Sequence, residues 1–315
     1  MYFSSSSDLP TSSSQWFSAL LLYLVGLFIK ICIDLLKHIL ILSPILANHC
    51  LAIQYISIFV LIYLDATFGI VMWVGGFNLL NIFPGVYWFS LTSVLLISTS
   101  ILIFIQSFHC TSGTPLSIYR DEYNNVLTPS SYFGTALESS GLLKVVLDTL
   151  FSYGVVHSMV ICTWWAMWEL ENKYILFPCE ITVKDFQAWD SVILAYLFIF
   201  VVVALDKSLK DMDEGQEALT KTVAGNCVAF LAFLACLNFW RGIWSLQDFY
   251  FFPNMNLREN LLLSHILGFV GTLVSRTSLT LTQSSAKDHD PPHLYGCDYW
   301  ASRRLCGDRQ DYQQL

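Results

Sequence analysis

Seven apolar stretches, each long enough to cross a bilayer as a helix, leave this chain few folds to choose from. They run Trp16–Lys37, Leu51–Trp73, Val86–Phe108, Leu143–Trp168, Ser191–Leu209, Thr222–Trp244 and Leu261–Thr282. A helical crossing takes about 20 residues. In hydrocarbon every backbone N–H and C=O must be paired within the protein, so consecutive stretches of this length predict a helical bundle. The balance of residue types agrees. Only 13% of the 315 residues are charged and 55% are hydrophobic, where a soluble domain carries about 25% charged residues. The expected fold is all-α: a polytopic membrane bundle of about seven spans.

The ends and loops divide the chain. Residues 1–15 are Ser-rich and read as a disordered N-terminus, residues 16–282 as the transmembrane domain, and residues 283–315 as a polar cytosolic tail. The first apolar run has no basic segment ahead of it and exceeds a signal-peptide core, so it reads as a retained span. Cys32, Cys162, Cys227 and Cys236 lie within apolar runs, where cysteine behaves as a small hydrophobe. With a net charge of −8 and no Lys/Arg-rich block, nucleic acid is excluded as a partner, since phosphate binding needs clustered cations.

Loop cations set the orientation. One side receives Lys173, Lys184 and Arg258. The other receives Arg120, Lys207, Lys210, Lys221, Lys287, Arg303, Arg304 and Arg309. The richer side is the cytosolic one, which puts the N-terminus outside and the C-terminus inside.

A sequence repeat runs through the spans. The sixth ends Trp240-Arg241-Gly242-Ile243-Trp244-Ser245-Leu246-Gln247-Asp248-Phe249-Tyr250, and the fourth ends Trp164-Trp165-Ala166-Met167-Trp168-Glu169-Leu170-Glu171-Asn172-Lys173-Tyr174. A shift of 76 residues superposes Trp on Trp twice, Leu on Leu, Asp on Asn and Tyr on Tyr. The second span ends in the same register, from Trp73 through Phe77 and Asn81 to Phe83. The third place is always small: Gly75, Ala166 or Gly242. Aromatics at i and i+4 share a helix face at the interfacial depth Trp and Tyr favour. A small residue between them admits a neighbouring backbone. Because each unit makes an even number of crossings, the pattern predicts parallel two-helix repeats whose motifs share the outer side.

The Trp240-Arg241-Gly242-Ile243-Trp244 block, with Asp248 after it and Arg276-Thr277-Ser278 near the end of the last apolar run, resembles the Fuseless family of multi-pass membrane proteins. The family is described with eight spans, against seven counted here. The resemblance implies a presynaptic protein of the plasma membrane, tied to calcium-channel organisation and neurotransmitter release, with no enzymatic activity and no cofactor.

Charges within a span cost about 2.5–3.5 kcal/mol at mid-depth on insertion scales, so each needs a reason. Asp65 precedes Trp73 by eight residues, roughly 12 Å below the outer motif at the helical rise of about 1.5 Å per residue. It reads either as an ion or proton site or as a paired carboxylate joining two spans. Lys30 and Asp34 are spaced to pair along their own helix. Arg241 stands where its sister motifs carry Val74 and Trp165. It can snorkel to the outer interface, pair with Asp248, or stack on an aromatic ring. The tail residues His289, His293, Cys297 and Cys306 lack the close cysteine pair of a zinc site, and no metal is expected.

Trp240, Arg241, Gly242, Trp244, Asp248 and Asp65 are therefore the candidate partner or ligand residues. No nucleophile elbow, phosphate loop or His-Glu-x-x-His pattern occurs, so catalysis is not expected. The preferred reading is a non-enzymatic organiser in the bilayer that contacts other membrane proteins, presynaptic calcium channels among them. The alternative is a small-solute or ion transporter, for which discontinuous spans would speak.

Overall fold

The computed structural model describes residues 13–42, 51–82, 87–113, 116, 142–175, 184–210, 218–250 and 255–275. These are almost wholly helical, with no strand among the described residues. The helices are α1 (Ser13–Leu42), α2 (Leu51–Ile82), α3 (Trp88–Phe104), α4 (Leu142–Phe151), α5 (Ser158–Leu170), α6 (Lys184–Lys210), α7 (Ala218–Tyr250) and α8 (Leu257–Ser275). A π turn, Ser152–His157, joins α4 to α5, and a second, Glu171–Ile175, extends α5.

Five helical stretches are long and apolar enough to cross a membrane: Ser14–Leu40, Ile56–Ile82, Val145–Tyr174, Ala188–Leu205 and Thr222–Gln247. Trp88–Phe104 is apolar but shorter, and α8 falls outside this set. The described residues are thus all-helical, with the long apolar helices of an integral membrane protein. α1 begins at Ser13, inside the segment expected to be disordered up to residue 15. The rest of that segment and the tail lie outside the described residues.

The main packings join α1 to α2, α3 to α5, and α6 to α7. A small residue sits at the seam of each. A Cβ on Gly75 would meet the Tyr23 backbone nitrogen of α1 at 2.5 Å, and one on Gly242 would meet the Val192 side chain of α6 at 2.5 Å and its backbone nitrogen at 2.9 Å. Ala166 is fully buried in a cluster with Leu91 of α3. In lipid, helices gain little from expelling water, and close approach at small residues supplies van der Waals contact instead. Polar cross-links tie the pairs together. Trp165 Nε1 donates to Asn81 Oδ1 at 2.7 Å, Thr163 Oγ1 donates to Ser98 Oγ at 2.8 Å, and the Tyr23 and Ser158 hydroxyls share a hydrogen bond.

The third apolar stretch does not run as one helix to Phe108. α3 stops at Phe104, and the backbone reverses at Gln106, whose φ is 56°. A 3-10 turn, Phe108–Thr111, then folds back into the interior. Phe108 and Cys110 are buried in one cluster with Leu102, Val156, Val160 and Ala229. Val156 and Val160 fall in the middle third of Val145–Tyr174, so this break lies deep in the bundle.

Non-helical backbone at such depth persists only where protein or a wet cavity satisfies it. Here Trp164 Nε1 donates to the Thr111 carbonyl at 2.8 Å, the Gly113 N–H donates to Cys236 Sγ at 3.3 Å, and Ser107 N–H donates to the Leu102 carbonyl at 2.8 Å. Leu116 continues the wedge against Val202, Val228 and Ala232. α8 leans on α2, where Phe269 meets the rings of Phe59 and Tyr63, and on α7, where Gln247 Nε2 donates to Ser264 Oγ at 2.6 Å.

Candidate functional site

Two buried charge clusters stand out among the described residues. The first joins α1 to α2. Lys30, Asp34 and Lys37 recur along α1 at helical spacing, which turns them toward one face. All three are buried. Asp65 of α2 meets them at 3% exposure. Lys30 Nζ donates to Asp65 Oδ1 and, at 3.3 Å, to the Asp65 carbonyl. Lys37 Nζ donates to Asp65 Oδ2 at 3.0 Å and lies 3.3 Å from Asp34 Oδ1. The spacing expectation paired Lys30 with Asp34 on their own helix. Lys30 also reaches across to Asp65, whose carboxylate and carbonyl together offer it a chelating pair of acceptors, and Lys37 lies between Asp34 and Asp65. Two ammonium groups and two carboxylates balance. The Lys30 ammonium also stands 4.8 Å from the centre of the Tyr153 ring, a cation–π contact.

The second cluster joins α5 to α7. Arg241 is 9% exposed, so it is buried against a partner rather than extended to an aqueous interface. Its Nη1 lies 3.4 Å from Glu171 Oε2, and Asn238 Nδ2 donates to Glu171 Oε1 at 3.0 Å. One carboxylate thus bridges two side chains spaced i,i+3 on α7. The side chain of Asp248, the partner expected from sequence, lies outside the described residues.

Aromatic rings near this cluster in sequence also link the helices. Trp168 and Trp244 lie with ring centroids 5.7 Å apart, and Trp240 and Trp244 5.8 Å apart. At the neighbouring seam Trp73 meets Trp164 at 5.6 Å. First-place aromatic touches first-place aromatic, and fifth touches fifth.

Arg241 is therefore brought to Glu171 beside Asn238, Trp244 meets Trp168 and Trp240, and Gly242 faces α6 at the other seam of α7. Asp65 belongs to the other cluster. Glu171 was the residue missed. Its signal was present, since it is a carboxylate inside the motif whose sister carries the lone cation. Among the described residues no group of three or more His, Cys, Asp or Glu could hold a metal, and the tail quartet lies outside them.

The family model for Fuseless matches residues 9–281. The chain belongs to the Fuseless family. No curated protein and no solved structure matches it. Both charge clusters, the broken third span and the aromatic contacts of this Fuseless chain all fall within the matched region.

Proposed function

We propose that this Fuseless protein is a non-enzymatic organiser in the presynaptic plasma membrane. It would act through helix and loop contacts on other membrane proteins, calcium channels among them, and thereby on neurotransmitter release. Family membership over residues 9–281 carries this reading. The pairing of Asp65 with two lysines supports it, because a carboxylate engaged twice serves better as a clamp between helices than as an exchangeable ion site.

The scaffold we propose is three parallel two-helix units, α1–α2, α3 with α4–α5, and α6–α7, followed by α8 as the seventh crossing. Its N-terminus is outside and its C-terminus cytosolic. Three observations support the repeat. Gly75, Ala166 and Gly242 each pack against the early turns of the first helix of their unit, α1, α3 and α6. Equivalent tryptophans touch. Asn81 accepts a hydrogen bond from the next motif.

Tagging the chain in neurons tests the function. Enrichment at active zones, with loss of calcium-channel clustering and of evoked release when the chain is removed, is the expected result. Residence in another membrane, or unchanged channels and release, contradicts it. The broken third span favours a second reading, transport, because discontinuous spans line substrate paths in transporters. Solute or ion flux in proteoliposomes containing the purified chain, abolished by substitutions at the break, would support it.

A further inference from the structure

A polar seam runs between the first helix pair and the fourth span. α1 packs on both α4 and the π turn Ser152–His157, and Trp73 of α2 meets His157 edge-on at 5.9 Å. On this seam Thr149, Ser152 and His157 are all buried. Thr149 Oγ1, Ser152 Oγ and both ring nitrogens of His157 have no hydrogen-bond partner among the described residues. That is unusual for hydroxyls inside a helix, which normally bond to the carbonyl four residues back. Ser158 does so with Gly154 at 2.6 Å, and Ser98 with Val94 at 2.8 Å. Thr149 and Ser152 do not.

The three residues are stacked. Thr149 and Ser152 are neighbours at i,i+3, and the i→i+5 closure of a π turn brings residue 157 over residue 152. Chemically the set alternates. Each hydroxyl donates and accepts, and a neutral imidazole donates from one nitrogen and accepts at the other. Fixed charges close by are Lys30, paired with Asp65, Lys37, paired with Asp65 and Asp34, and the buried carboxylate of Asp148 one residue before Thr149. A cation entering here would meet Lys30, and an anion would meet the carboxylates. The ligand that fits is small, neutral, and both donor and acceptor.

We infer that Thr149, Ser152 and His157 form a binding site for structural water, a small cluster held inside the bundle beside the Lys30–Asp65 pair. Buried water characteristically makes about three hydrogen bonds to polar groups otherwise unsatisfied, and these side chains supply that number. The cluster gives the ion pairs a polar environment at a depth where lipid offers none. This site is independent of the organiser reading, since it depends only on the seam.

The test is thermal unfolding of the full-length chain in nanodiscs for Thr149→Val, Ser152→Ala and the double variant. Both replacements are nearly isosteric and retain the packing. With water bound, each single change lowers the midpoint by about 2–4 °C, and the double variant loses less than the sum because the two hydroxyls share one cluster. In a dry seam the sign reverses, because removing an unpaired buried hydroxyl relieves its desolvation. Raised or unchanged midpoints overturn the proposal. Crystals grown in lipidic mesophase give a second measurement. Ordered density within about 3.2 Å of both hydroxyls is expected, and a map with these side chains ordered but no such density overturns the site.

Discussion

Arg241 of α7 lies 3.4 Å from Glu171 at the end of α5, a carboxylate 70 residues earlier in the chain. Asn238, one turn before Arg241, holds the second oxygen of the same carboxylate. The contact joins two of the helices that carry the tryptophan motif, at the point where Trp168 meets Trp244.

Because both charges are largely buried, removing either one strands the other. Glu171→Gln and Arg241→Met are each expected to destabilise the folded chain by about 3–5 kcal/mol. The combination Glu171→Gln with Arg241→Met should recover much of that loss, since no uncompensated charge remains. A double-mutant cycle on unfolding in nanodiscs measures the coupling; strictly additive losses would mean that the pair does not interact. Arg241→Lys retains the charge but loses the planar fork, so it should fold and reach the membrane with reduced channel clustering.

Asp65 is the hub of the first cluster, so its loss should exceed that of either lysine. Asp65→Asn leaves two ammonium groups facing Asp34 alone, whereas Lys37→Met leaves Lys30 still paired to Asp65. The yield of folded protein and the midpoint of thermal unfolding should rank wild type, then Lys37→Met, then Asp65→Asn. An Asp65→Asn chain as stable as wild type would remove the clamp.

Close approach at the helix seams makes a contrasting prediction for glycines. Gly75→Ala drives a methyl into the Tyr23 backbone, and Gly242→Ala drives one into Val192. Overpacking of this kind costs about 1–3 kcal/mol. A Cβ at Gly268, also in a helix, meets nothing within 4 Å, so Gly268→Ala should be neutral or gain up to about 1 kcal/mol from helix propensity. Unfolding measured on all three variants checks the ordering; equal effects would show that the seams yield.

How far the sequence carried depends on the range of the interaction. Helices were legible because an apolar stretch of bilayer length has one solution for its backbone. The small third residue of the motif was legible too, because only the absence of a side chain between two aromatics admits another helix. Partners were not. Asp248 lies close to Arg241 in sequence, whereas Glu171 becomes its neighbour only when α5 and α7 pack. Lys30 likewise offered Asp34 at i,i+4, whereas Asp65 comes within its reach only when α1 and α2 pack. The end of α3 was hidden because Ile103, Phe104 and Ile105 are as apolar as any span interior. The polar Gln106, Ser107 and His109 just beyond were the available sign of a break.

The shared side of the three motifs can be read directly by labelling in intact cells. Single cysteines replace Asn81, Asn172 or Tyr250, each exposed near the end of a motif, or Thr220 at the opposite end of α7. The parent chain, with its nine native cysteines, sets the background for a membrane-impermeant maleimide. In a parallel array of two-helix units with the motifs outside, the cysteines at 81, 172 and 250 all react in intact cells, and the one at 220 reacts only after permeabilisation. Reaction of any one of the three motif positions only after permeabilisation, while another reacts without it, would contradict the parallel array.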